Sequence, residues 1–164
     1  MTASLLHAAL AVVHTGAAAA WLGAMLYSLL VLQPRAASFF RDAEDLEDFT
    51  IVLAAGARPK VLALVAALAV SGAGLTVLEL TADDAPEGPW LALVAAKGAA
   101  LVVAVALFAY VSWRLWPARA RAHALQSPEL PALQRPFRLV AVALTGVVAA
   151  ALVLGAVADA LRVG

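Results

Sequence analysis

Four long apolar runs alternate with short polar stretches along the chain. They extend from about Leu5 to Leu32, Val61 to Leu80, Leu91 to Trp113 and Leu139 to Val157. A helix needs about 20 apolar residues to cross a bilayer, and each run is near or beyond that length. In hydrocarbon no water satisfies an open backbone, so every run is predicted to be a helix. The expected fold is all-α: a four-helix transmembrane bundle forming a single integral membrane domain over residues 1–164.

The polar stretches orient the bundle. Arg35, Arg41, Arg58 and Lys60 fall between runs one and two. Arg114, Arg119, Arg121, Arg135 and Arg138 fall between runs three and four. The N-terminal tail and the Thr81–Pro89 loop carry no basic residue, and the C-terminal tail carries only Arg162. The positive-inside bias therefore puts both basic connections in the cytoplasm and both termini outside. MTASLLHAAL lacks a basic leader region and is read as the start of a retained helix.

The first connection includes the acidic segment Arg41–Phe49. Asp42 suits a helix N-cap, so a short amphipathic helix is expected there. Its charges are read as a solvated face, and His123 in the other connection as solvent-exposed. The prolines at 117, 128, 131 and 136 forbid one continuous helix through that second connection. Ser71, Gly72 and Gly74 thin the second helix and admit a close neighbour. The outer loop, with Asp83, Asp84 and Glu87, is acidic enough to gather cations, but hydration alone also accounts for it. Trp90 on one side, and Tyr110, Trp113 and Trp116 on the other, suit the membrane interfaces.

Composition narrows the chemistry. The chain is 65% hydrophobic, against about 45–50% for soluble domains. Net charge is zero, which argues against nucleic-acid binding. There is no cysteine, so disulfides, iron–sulfur clusters and thiolate metal sites are excluded. A metal would have to use His, Met, carboxylate or backbone oxygen. No nucleotide loop, nucleophile–base pair or metalloprotease helix is present, so the balance falls against an enzyme.

Ionisable groups in the apolar runs stand out, because charge in hydrocarbon is costly. At about 100° per residue, His7, His14, Trp21 and Met25 share one stripe of the first helix. Gly16, Ala20 and Gly23 lie near the opposite side and read as a close packing face. His7 and His14 are about 10 Å apart at 1.5 Å per residue, too far to chelate one ion together. Lys97 lies about 10 Å below Trp90, at a depth similar to His14. Glu79 and Asp159 end their helices on the same side. Convergence of these five groups is the site hypothesis. The alternative is that Lys97 snorkels to the headgroups, both acids sit in water and Met25 is simple packing.

The run from His14 through Trp21, Gly23 and Met25 to Pro34 resembles the first helix of CopD-type (copper-resistance D) integral membrane domains. The third run, Trp90 followed by Lys97 and ending in basic residues, is similar too. The resemblance implies a bacterial inner-membrane protein handling copper at its outer side, with passage or delivery across the membrane. His7, His14 and Met25 are then the expected metal ligands. Distant likeness to HemJ-type proteins implies haem b instead, held by His14 and Trp21, with Lys97 on a propionate or in catalysis. The Tyr–His pair of that type is absent here, since Val111 follows Tyr110. A third reading is a non-catalytic subunit, meeting other membrane subunits or a second copy in the lipid bilayer.

Overall fold

Each apolar run folds as one helix that overshoots the run itself. The computed structural model describes residues 2–54, 56–82 and 88–163. Helix α1 is Thr2–Tyr27, α2 Gln33–Phe39, α3 Ala43–Ala54, α4 Ala57–Leu80, α5 Gly88–Tyr110, α6 Trp116–Ala124 and α7 Leu130–Val163. No strand occurs among the described residues. Four continuous helical stretches are long and apolar enough to cross a membrane: Ser4–Phe39, Ala57–Leu80, Gly88–Ala124 and Leu130–Ala160. The fold is therefore a four-helix transmembrane bundle. The acidic loop Asp83–Glu87, expected on the outer side, lies outside the described residues.

The overshoot has a local cause in two prolines. Ser28–Leu32 and Val111–Leu115 are π-helical turns, placed just ahead of Pro34 and Pro117. Proline lacks an N–H and crowds the carbonyl four residues back. A wider turn relieves that clash without ending the helix. In the second turn the Trp116 N–H bonds the Val111 carbonyl, one residue beyond the α-helical partner. The next π-partner, for Ser112, would be the N–H that Pro117 lacks. The Ser112 carbonyl instead accepts from Arg58 Nη2 at 2.6 Å, and the guanidinium lies over the Trp113 ring at 4.9 Å.

The helices pack as two pairs. α1 lies along α4 and α5 along α7, while a smaller α1–α7 contact joins the pairs. Trp21, Ala17, Leu68, Ala104, Leu144 and Val148 form the shared core. Two of these are alanines, in keeping with close approach through small residues.

The basic connections depart from the sequence expectation. Asp42 does cap α3, its Oδ1 accepting from the Glu44 N–H at 3.0 Å. But the acidic segment is not simply a solvated face. Glu47 is 2% exposed and takes both Nε and Nη2 of Arg119, at 2.5 and 2.7 Å. Arg119 is also stacked 5.0 Å from the Phe137 ring. His123 is not left to solvent either: its Nε2 is 2.8 Å from Asp48 Oδ1. The cause is distance in sequence. α3 and α6 are brought together only by the fold, and Glu47 and Asp48 find their partners on the other helix.

Candidate functional site

The stripe predicted on α1 faces inward. Trp21 is 3% exposed, and His7, His14 and Met25 are partly buried. Trp21 belongs to the central core and Met25 packs against it, so both are surrounded by apolar side chains. The small face opposite does not pack inside the chain. Gly16, Ala20 and Gly23 are exposed, and a Cβ built at either glycine meets nothing within 4 Å. The larger inward stripe fills the bundle and leaves the small residues turned outward.

Both histidines are held by α4. His7 Nε2 is 2.8 Å from Glu79 Oε1, and that carboxylate is buried rather than in water. His14 Nδ1 is 3.0 Å from Ser71 Oγ. Ser71 is 1% exposed and its hydroxyl donates to the Ala67 carbonyl, four residues back, at 2.5 Å. The thin waist of α4 makes room for the imidazole: a Cβ on Gly72 would lie 3.0 Å from His14 Cε1. Gly74 gives the same clearance to Leu10, whose Cδ1 would be 2.9 Å away.

Lys97 is held by the other pair. Its Nζ would be 2.8 Å from a Cβ on Gly155 of α7, so the amine rests in a notch that glycine leaves open. The lysine therefore lies against a neighbouring helix. Asp159 lies one turn further along α7 and is exposed.

The five groups gather only in part. His7 meets Glu79 and His14 meets Ser71, both on α4, while Lys97 rests at Gly155 on α7. Among the described residues no three His, Asp or Glu side chains come close enough together to hold a metal ion. Met25 and the two histidines are separate positions along one stripe. Sequence reasoning missed Ser71 as the partner of His14. Its only signal was a polar residue beside two glycines in an apolar helix.

A family model described as Copper resistance protein D (CopD) matches residues 59–157. The chain belongs to the CopD family. Family membership and four spanning helices make it a multi-pass membrane protein of copper resistance. The CopD match takes in Ser71, Gly72, Glu79, Lys97 and Gly155, and begins after α1 with its two histidines. No curated protein and no solved structure matches the chain significantly.

Proposed function

We propose that this CopD protein binds copper within its membrane-crossing bundle, with His14 as the principal donor and His7 as a separate station nearer the helix end. The observation carrying this reading is the seat of His14. The imidazole turns inward, rests on Gly72 and is anchored by Ser71 through Nδ1. Nε2 is the ring nitrogen not engaged by Ser71. Imidazole nitrogen is a suitable copper donor, and an anchored second nitrogen is the usual arrangement for a ligating histidine. His7 is held by a different residue of α4, which favours passage between stations over one chelate.

On this reading the protein lies in a bacterial cytoplasmic membrane, its basic connections inside and its copper stations in the outer half. The outward small face of α1 is where a second copy or another subunit would approach.

The test is metal content of the purified protein in lipid nanodiscs after exposure to copper. The parent protein is expected to retain copper and His14→Ala to lose it, with tryptophan fluorescence and elution volume unchanged. Equal copper in both proteins overturns the assignment. A Soret band in the parent spectrum would replace copper by haem.

A further inference from the structure

We propose that Ser71 sets the tautomer of His14, fixing the proton on Nδ1 and leaving Nε2 as the bare nitrogen. The use made of Nε2 rests on the copper reading above. The tautomer itself does not.

The number of hydrogens available decides the tautomer. A serine hydroxyl has one hydrogen to donate and two lone pairs to accept with. Ser71 Oγ lies 2.5 Å from the Ala67 carbonyl and 3.4 Å from the Leu68 carbonyl. Carbonyl oxygens only accept, so the hydroxyl hydrogen goes to Ala67. Towards its third neighbour, His14 Nδ1 at 3.0 Å, the oxygen is then an acceptor. Nδ1 must supply the hydrogen. Of the two ring nitrogens Nδ1 is the nearer to the Gly72 notch, at 3.4 Å against 3.9 Å from a Cβ built there. The neutral ring then carries its free lone pair on Nε2.

A ligating histidine usually has its other N–H committed to an acceptor, which fixes ring orientation and raises donor strength. Such acceptors are most often carboxylate, backbone carbonyl or water. Here the acceptor is a hydroxyl whose own hydrogen has been turned away by the helix carrying it. Ser71 is thus a positioning residue, acting on copper only through the imidazole.

The experiment is nitrogen-15 NMR of histidine-labelled full-length protein in nanodiscs, without metal, in alkaline buffer. The chain has three histidines, and the His14 signals are those absent from His14→Gln. The parent is expected to show Nδ1 protonated and Nε2 bare. Ser71→Ala should give a mixture of tautomers, and Ser71→Thr should restore the single one. Copper affinity should fall by about 10–100-fold in Ser71→Ala and recover in Ser71→Thr. A parent spectrum with Nε2 protonated overturns the proposal, whether or not any variant folds. An unchanged tautomer in Ser71→Ala overturns it too. Should the tautomer respond as described while His14→Ala still holds copper, the copper reading fails and the role of Ser71 stands.

Discussion

A single hydrogen atom at position 72, and another at 155, stand where side chains would otherwise push His14 and Lys97 aside. Alanine is better than glycine in a helix by about 1 kcal/mol, so these positions forgo intrinsic stability. Gly72→Ala is expected to keep the fold and its thermal midpoint yet lose much of the copper retained by the parent. Its methyl would lie 3.0 Å from an imidazole already pinned on one side by Ser71. Gly98→Ala is the control: nothing lies within 4 Å of a Cβ there, so it should stabilise slightly and leave copper unchanged. Equal copper in Gly72→Ala and parent would remove the meaning given to the notch. At this scale the sequence singles out His14 and Lys97, because charge in hydrocarbon is expensive. It hides Ser71. A serine in an apolar helix satisfies itself on the preceding turn in almost any surroundings, so its identity says little about what else it holds.

At the scale of elements, the prolines and the connections work together. The π-turn ahead of Pro117 frees the Ser112 carbonyl for Arg58, which ties α4 to the end of α5. Beyond that turn α6 presents Arg119 to Glu47 and His123 to Asp48 of α3. Removing one partner of a buried ion pair typically costs about 3–5 kcal/mol. Glu47→Ala is therefore expected to lower unfolding stability in detergent by an amount in that range. Losing less than about 1 kcal/mol would show the pair to be incidental. Pro117→Ala restores an N–H and permits an ordinary α-turn, which would rotate α6 relative to α5. In that background Glu47→Ala should cost much less, and a double-mutant cycle measures the difference. The amphipathic helix and its Asp42 cap were legible, since both depend on neighbouring residues. The burial of Glu47 was not, because Arg119 is 72 positions away.

At the scale of the molecule, the number of helices followed from the lengths of the apolar runs. Which helices pair did not. A span that is apolar on all sides gives periodicity no face to choose, and in lipid the choice falls to small residues and shape. The first helix shows the difficulty. Its polar stripe turned inward as read, but its small face, expected to pack, is left outward. Orientation is open to direct measurement, since the chain has no native cysteine. Ser127→Cys, in the turn between α6 and α7, should react with an impermeant thiol reagent only from the cytoplasmic side of oriented vesicles. Labelling from outside would reverse the topology and put the copper stations on the inner half.

The two notches belong to different halves. His14 sits in one cut by α4, within the α1–α4 pair, and Lys97 in one cut by α7, within the α5–α7 pair. Sliding one half along the other would change the gap between imidazole and amine while leaving both seats intact. The field felt by an ion at His14 is in that sense a gauge of how the halves are aligned. A crosslink freezing the α1–α7 seam would hold that gauge at one reading.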